Sequence, residues 1–128
     1  MTMQTILIHG NDRELSGAWA SYLSREGHAV FTSADPIEAG EIATMMKIDS
    51  IILSTNNPAT YLLFGKVLKI KRSAAKVVAI TRMRRSALEL LLETEDFTAL
   101  DSPFTFGALK NIVMGSHQKT EEMQNVFV

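Results

Sequence analysis

Residues 5–27, TILIHGNDRELSGAWASYLSREG, contain the unit that decides the fold. Thr5 to His9 is a short apolar run of strand-forming residues, and Gly10-Asn11 ends it. Apolar residues then recur at intervals of three and four, which indicates the buried stripe of an amphipathic helix. The stretch therefore predicts a buried strand and a helix that ends near Gly27, where helices favour glycine. The predicted stripe is Leu15, Ala18, Trp19, Tyr22 and Leu23.

The same strand–helix alternation continues along the chain. Asp35-Pro36 followed by Glu38 is a strong helix start, with a side-chain cap, proline at the first helical position and an acid at the third. Ser86 and Glu89 have the spacing of a capping box for a short fourth helix. Further strands are predicted at 29–33, 50–54, 77–81 and 97–101, and further helices at 36–47, at about 61–70, after Ser86 and around 106–113.

Five short apolar strands alternating with five helices predict a doubly wound α/β domain with a five-stranded parallel sheet between two helical layers. Parallel strands need crossover connections, and continuously apolar strands need burial on both faces. In such sheets the functional crevice lies at the carboxyl ends of the strands. We assign residues 1–116 to this domain and residues 117–128 to a C-terminal extension that is either helical or frayed.

The composition excludes several classes of chemistry. The chain has 128 residues, 46% of them apolar and 21% charged, as expected of one globular domain. It has no cysteine, which removes disulfides and thiolate metal sites. His9, His28 and His117 lack metal-ligand spacing, so we expect neither a metal nor a cofactor. The first residues carry no basic leader and no apolar run has membrane length, so we expect a cytoplasmic protein without a membrane partner.

Three stretches resemble the receiver domain of bacterial response regulators. Residues 6–15, ILIHGNDREL, resemble its opening strand and loop, and residues 49–58, DSIILSTNNP, resemble its phosphoacceptor strand and loop. Ser102-Pro103-Phe104 resembles its turn after the fifth strand. The resemblance covers about residues 4–116. It implies a CheY-like, flavodoxin-like fold with strand order 2-1-3-4-5 and a place in a two-component or phosphorelay pathway.

The residues that carry receiver chemistry are mostly replaced in this chain. The resemblance implies an acidic pair that holds magnesium after the first strand, and a phosphoaccepting aspartate after the third. It implies a hydroxyl after the fourth strand and a lysine after the fifth. Only the hydroxyl matches. The corresponding positions are, in that order, Gly10 and Asn11, Ser54, Thr81 and Ser102.

These losses predict a pseudo-receiver with a degenerate phosphorylation pocket. Magnesium binds through carboxylates and water, and phosphoryl transfer needs metal and lysine to stabilise developing charge. Asp12 lies beside the pocket at a position that varies in the family, and the family's switch aromatic falls on Ala99. Ser54 has no evident base and would be a weak nucleophile. We therefore expect a module, not an enzyme, that signals by protein–protein interaction without phosphorylation.

Other functions of the crevice stay open. A serine/threonine kinase could phosphorylate Ser54 or Thr55 without the missing acids and lysine, and a small ligand could bind at the strand ends. The turn Gly10–Glu14 lacks the Gly, Ser and Thr run of a flavodoxin-like phosphate loop, and no P-loop or GxGxxG motif is present. His9 near the strand end could act as a base, although a lone histidine there is more often structural.

Basic residues concentrate before the fourth helix, since eight of the thirteen lysines and arginines lie between Lys66 and Arg85. Cations at a helix N-terminus cost about 0.3–1 kcal/mol each, which an acidic protein partner would offset. A solvated face, or pairing of Arg82 with Asp12 or Asp101, would also account for them. The net charge of −1 argues against nucleic acid. A homodimer stays open, and the possible partner face comprises Arg82, Arg84, Arg85 and Ala99.

Overall fold

The strands and helices alternate along the chain as the sequence predicts. A computed structural model describes residues 3–71, 74–100 and 106–113. The strands are β1 (Thr5–Gly10), β2 (Ala29–Ser33), β3 (Ser50–Ser54), β4 (Lys76–Ile80) and β5 (Phe97–Leu100). The helices are α1 (Arg13–Arg25), α2 (Pro36–Met45), α3 (Pro58–Lys71), α4 (Arg85–Leu92) and α5 (Phe106–Val113).

The five strands form one parallel sheet in the order β2-β1-β3-β4-β5. This confirms the predicted doubly wound α/β fold and its strand order. Gly10 lies opposite Ser54, Ser54 opposite Ile80, and Ile80 opposite Leu100. The carboxyl ends of four strands are therefore level, and the residues that follow them meet at one edge.

Successive strand residues pack on opposite faces of the sheet, as a period of two requires. On one face, Leu7 and Leu53 pack with Tyr61, Phe64 and Leu88 of α3 and α4, and α2 belongs to the same layer. Both faces are covered, which accounts for the uninterrupted apolar strands. The core of the opposite face includes Ile6, Ile8, Trp19, Leu23, Leu109 and Val113, from β1, α1 and α5.

The buried stripe of α1 differs in part from the predicted one. Trp19 and Leu23 are buried as predicted, whereas Leu15 and Ala18 are exposed. Ser16 is buried instead, with 5% of its surface accessible. Ser16 precedes Trp19 and Leu23 by three and seven residues, so it shares their face of the helix. That face reaches the carboxyl edge of the sheet through a hydroxyl and not through a leucine.

The start of α4 also differs from the prediction. Arg84 occupies the N-cap position and its side chain makes no cap hydrogen bond, so the helix begins at Arg85. The predicted capping box of Ser86 and Glu89 is therefore wrong. Glu89 instead pairs with Arg85 one turn earlier, with 3.3 Å between Oε2 and Nε. The start at Asp35 is confirmed, since its carboxylate accepts the Ile37 N–H at 3.0 Å.

Two boundaries bear on the functional site. β4 runs one residue earlier than predicted, so Thr81 follows the strand and does not belong to it. The predicted extension at 117–128 lies outside the described residues. Among the residues that the structure describes, none of the helices has the length and apolar character needed to cross a membrane.

Candidate functional site

The carboxyl edge of the sheet contains the predicted pocket. Gly10 and Ser54 are register partners in β1 and β3, and Thr81 follows β4 on the other side of Ser54. The structure therefore brings these three positions together. Asn11 and Asp12 continue from β1 at exposed positions, and Ser102 lies outside the described residues.

Position 10 has little room for a side chain. A Cβ atom built on Gly10 would lie 3.0 Å from Ser16 Oγ, 3.2 Å from Ser54 Cβ and 3.3 Å from the Ser54 carbonyl oxygen. Distances of this kind require the neighbours to move by a few tenths of an ångström. Ser16 and Ser54 thus occupy space into which the first acid of a receiver pair would enter.

The remaining acid of this loop has a structural task. Asp12 is the N-cap of α1, and its Oδ1 accepts the Leu15 N–H at 3.1 Å. Such caps stabilise a helix by about 1 kcal/mol, since they satisfy an amide that has no partner within the helix. Asp12 forms no ion pair with Arg82, contrary to one of the alternatives for that arginine.

The matching hydroxyl, Thr81, is bonded to the loop after β3. Thr81 Oγ1 donates to Asn56 Oδ1 at 2.7 Å, and the same oxygen accepts the Arg82 N–H at 2.9 Å. A backbone N–H can only donate, which fixes the oxygen and not the nitrogen of Asn56 on this side. Thr81 Oγ1 in turn accepts the Met83 N–H at 3.1 Å. One carboxamide therefore joins the loops that follow β3 and β4.

Tyr61 anchors the loop that carries Asn56. Its hydroxyl lies 3.1 Å from the Leu53 carbonyl oxygen and 2.8 Å from that of Thr55, and its single proton serves one of them at a time. Burial raises the pKa of Tyr61 to about 12, while the neighbouring Thr81 hydroxyl and the Thr55 backbone act in the opposite direction. Tyr61 is therefore a neutral hydrogen-bond donor that holds the β3–α3 loop against α3.

His9 is enclosed within the domain. Its exposed fraction is 1%, and Nδ1 lies 3.0 Å from the Ser33 carbonyl oxygen. Burial lowers the pKa of His9, and the hydrogen bond to Ser33 and the charge of Asp35 only partly oppose that effect. The ring ties β1 to the end of β2, which is a structural role.

A cleft of about 270 Å³ opens beside the pocket, between the N-termini of α1 and α2. Gly10, Arg13 and Ser16 line one side of it, and Ser33 and Glu38 line the other. Ser16 Oγ has no hydrogen-bond partner among the described residues, although it is buried. Ser33 Oγ donates to Glu38 Oε1 at 2.7 Å. The cleft therefore combines one cation, one carboxylate and one unpaired hydroxyl.

The predicted partner face divides into bound and free positions. Arg82 and Arg84 are exposed at the start of α4. The guanidinium of Arg85 instead lies 4.2 Å from the centre of the Phe97 ring, and its Nη2 donates to the Glu95 carbonyl at 2.8 Å. Arg85 thus fastens α4 to β5. Ala99 is half-buried in β5, opposite Ala79.

No protein-family model and no curated protein matches this chain. Solved structures do match it. A CheY-like receiver domain protein from Methanospirillum hungatei JF-1 has a TM-score of 0.75 at 16% identity, and the match covers 97% of this chain and 96% of the other. This chain has the receiver fold. Response regulator TrrA from Thermotoga maritima, in complex with Mg²⁺-BeF, has a TM-score of 0.72 at 23% identity, over 88% and 97% of the two chains.

A third match shows a receiver fold in a protein complex. It is the co-crystal structure of the Saccharomyces cerevisiae phosphotransfer protein Ypd1 with the receiver domain of Ssk1. Its TM-score is 0.70 at 15% identity, over 88% of this chain and 87% of the other. At these identities the comparisons establish the fold of this chain.

The residues present do not fit the magnesium ion that accompanies a receiver fold. A hard cation needs several carboxylate oxygens, whereas positions 10, 11 and 54 supply a glycine, an amide and a hydroxyl. Asp12 is already committed to capping α1. Among the described residues, no three histidine or acidic side chains lie close enough together to hold a metal.

Sequence reasoning found the strand-end positions but missed three neighbours. Ser16 gave a signal, because it shares the helical spacing of Trp19 and Leu23. Tyr61 falls in the helix predicted at about 61–70, and nothing in the sequence reveals where its hydroxyl is bonded. Asn56 lies in the stretch 49–58 that resembles the phosphoacceptor strand and loop. Its bond to Thr81 joins residues 25 apart in the chain, which no local pattern predicts.

Proposed function

We propose that this chain is a receiver-like signalling module of a two-component or phosphorelay pathway that acts by protein–protein contact and does not depend on phosphorylation. We expect it to act in the cytoplasm and not to be an enzyme. The observation that carries the proposal is the bond between Thr81 and Asn56, together with the tight packing at Gly10.

The Thr81 bond bears on the switch itself. In the receiver family that this chain resembles, the hydroxyl after β4 contacts the phosphoryl group. Here the hydroxyl already donates to Asn56 Oδ1 at 2.7 Å, and the Arg82 N–H binds the same oxygen. A carboxamide oxygen of the chain itself thus supplies the acceptor that a phosphoryl oxygen would supply. The β4–α4 loop is accordingly bonded to the loop after β3 without a modification.

The electrostatics favour the same proposal. An aspartyl phosphate needs nearby cations, because its oxygens carry charge that a low-dielectric pocket stabilises poorly. The described pocket offers no carboxylate set for a metal at positions 10, 11 and 54. Ser54 could accept a phosphoryl group only as an activated hydroxyl, and His9, the histidine nearest in the sheet, is bonded to Ser33 instead.

Phosphodonor chemistry tests this part of the proposal. The chain is incubated with acetyl phosphate and magnesium and analysed by intact mass spectrometry. We expect no phosphoryl adduct on the wild-type chain, and none on Ser54→Asp, because that substitution restores an acceptor without restoring metal ligands. A wild-type adduct that disappears in Ser54→Ala would overturn the proposal.

A second candidate function is ligand binding at the carboxyl edge. The cleft of about 270 Å³ favours it, since Ser16 Oγ is buried there without a described partner. Buried hydroxyls are normally bonded, and a ligand or a water would satisfy this one. Arg13 and Glu38 on opposite sides of the cleft suit a small zwitterion. An amide NMR titration with a mixture of free amino acids tests this candidate. The Ser16→Ala variant is the control, and its amide signals should not move.

Output by contact has a candidate surface in Arg82 and Arg84. Both are exposed before α4, where the helix dipole disfavours cations, and an acidic partner surface would compensate. Arg82→Glu combined with Arg84→Glu should remove partners that co-purify with the wild-type chain. Arg25→Glu, a single charge reversal at an exposed position of α1 on the opposite face of the sheet, is the control. Equal recovery of the partners from both variants would exclude this surface.

A further inference from the structure

An apolar groove runs between α2 and α3. It encloses about 290 Å³, and Gly40 forms part of its floor, where a Cβ atom would lie 3.4 Å from Leu63 Cδ2. Because glycine has no side chain, α2 and α3 lie close together at this position, and the cavity between their exposed sides remains open. Apolar side chains form most of the walls, which are Ile37, Glu41, Thr44, Met45, Leu63 and Val67.

The rim of this α2–α3 groove exposes large apolar side chains. Ile37 is 61% exposed and Met45 82% exposed, and Ile70, one turn beyond Val67 on α3, is 84% exposed. Single exposed apolar residues are normal on a protein surface. Two of the three, Ile37 and Met45, line the same apolar cavity, which indicates a surface that another segment covers.

The groove continues to the amino edge of the sheet. A second cavity of about 400 Å³ shares Thr44 and Met45 with the first one. Its remaining walls come from the end of α2, the end of α3 and the residues just before β3 and β4. The two cavities therefore adjoin at the end of α2, and together we call them the channel; α2 itself is about 15 Å long at 1.5 Å per residue.

The chain leaves α5 beside this channel. The Ile112 carbonyl accepts a hydrogen bond from the Lys76 ammonium at 2.8 Å. The Val113 carbonyl accepts one from Gln4 Nε2, also at 2.8 Å. Lys76 directly follows Ala75, which lines the second cavity. The last described carbonyls of α5 thus lie at the edge where the channel opens.

The residues that follow α5 are long enough to reach the channel and include apolar side chains that suit it. Residues 114–128 read MGSHQKTEEMQNVFV, and they span up to about 50 Å when extended. Met123, Val126 and Phe127 recur at intervals of three and four, as on one apolar face. Lys47 and Asp49 both line the second cavity, and Lys71, which also lines it, already donates to the Ala43 and Met46 carbonyls at 2.7 Å.

We propose that residues 117–128 dock into the α2–α3 groove of their own chain, with Met123, Val126 and Phe127 in the apolar channel. Tethering gives the segment a millimolar effective concentration, so burial of two or three side chains suffices to hold it. A second copy would need a far larger surface, about 800 Å² per partner for a stable interface. A partner protein that uses the α2–α3 face has to displace this segment first.

Paramagnetic relaxation in the full chain tests the docking. The wild-type sequence has no cysteine, so Asn125→Cys gives a single site for a nitroxide label. We expect selective broadening of the amide signals of Thr44, Met45 and Val67. A label at Ser24→Cys, exposed on α1 at the opposite face of the sheet, is the control and should leave these three signals sharp.

The outcomes separate the possible occupants. Broadening must disappear when the spin-labelled chain is mixed with a separate isotope-labelled chain that carries no nitroxide. Equal broadening in that mixture would mean docking between two copies and would overturn the proposal. The absence of selective broadening of these three signals in both samples would also overturn it. The joint variant Val126→Ser and Phe127→Ser should also move the Met45 and Val67 signals, whereas Gln124→Ser should not.

Discussion

The hydroxyl of Thr81 donates a 2.7 Å hydrogen bond to the side-chain oxygen of Asn56. This bond joins the loops after β3 and β4, and the Arg82 N–H reinforces it at 2.9 Å. The one hydroxyl that matches the receiver pattern is therefore already bonded within the chain. The account of a module that works without phosphorylation depends on this pair.

The Asn56–Thr81 bond should appear as energetic coupling. A hydrogen bond contributes a net 0.5–1.5 kcal/mol or so, and Asn56→Ala removes the acceptor of two donors. We expect Asn56→Ala to lower the free energy of unfolding by about 1–2 kcal/mol in urea titrations. The double-mutant cycle with Thr81→Val should give a coupling of roughly 0.5–1.5 kcal/mol. Asn11→Ala, at an exposed site, is the control, and strictly additive costs would contradict the bond.

The pocket at Gly10 should resist enlargement. Gly10→Ala places a methyl group 3.0 Å from Ser16 Oγ and 3.2 Å from Ser54 Cβ, so we expect a loss of about 1–3 kcal/mol in unfolding free energy. Gly17→Ala is the matched control. A Cβ there meets nothing within 4 Å, and alanine in a helix interior should gain about 0.5–1 kcal/mol. Equal effects of the two substitutions would show that position 10 is open.

The close packing of α4 against α3 should depend on Gly65. A Cβ at this position would lie 2.7 Å from the Leu91 carbonyl oxygen and 2.9 Å from Leu92 Cα, which are backbone atoms. Gly65→Ala should therefore displace α4 and shift the amide signals of Leu91 to Glu93. Gly40→Ala, whose nearest neighbour is a leucine side chain at 3.4 Å, should leave those signals in place. Unchanged signals in both variants would contradict the close packing.

Arg85 should matter for stability more than its neighbour does. Its side chain binds the Glu95 and Phe97 carbonyls and lies over the Phe97 ring. We expect Arg85→Met to lower the midpoint of urea unfolding by an amount that corresponds to about 1–2 kcal/mol. Arg84→Met removes a charge from the N-terminus of α4 without removing a side-chain cap hydrogen bond, and it should be neutral or slightly stabilising. A larger loss of stability in Arg84→Met than in Arg85→Met would contradict the structural role of Arg85.

The buried His9 predicts a pH dependence with a definite sign. Burial holds the pKa of His9 below its ordinary value of 6.5, so the unfolded chain binds a proton that the folded chain resists. The unfolding free energy should therefore fall as the pH drops below about 6.5, down to the lowered pKa of the folded state. His9→Gln should flatten this part of the profile in urea titrations between pH 7 and 5. An equally steep profile in the variant would assign the dependence to other groups.

The fold was predictable because each strand and most helix starts carry a local signal. The run Thr5 to His9 and the cap at Asp35 need only neighbouring residues to be recognised. The start of α4 was not, because Arg85 is held by contacts with Glu95 and Phe97 that form only in the folded domain. Those contacts outweigh the local preference for a serine cap.

The candidate site was predictable in position and not in its bonding. Strand alternation placed Gly10, Ser54 and Thr81 at one edge, and the register confirms that placement. The tight contacts at Gly10 depend on the inward direction of Ser16, and the state of Thr81 depends on Asn56. Both are contacts between separate elements, which only the folded structure specifies.

The most direct test of the central claim is an amide NMR titration of the isotope-labelled chain with magnesium, followed by magnesium with beryllofluoride. We predict that the signals of Asn11, Ser54, Asn56 and Thr81 stay in place, because positions 10, 11 and 54 supply a glycine, an amide and a hydroxyl instead of carboxylates. Saturable shifts of these signals at millimolar magnesium would contradict the account, since they would mean that the pocket still operates as a phosphorylation switch.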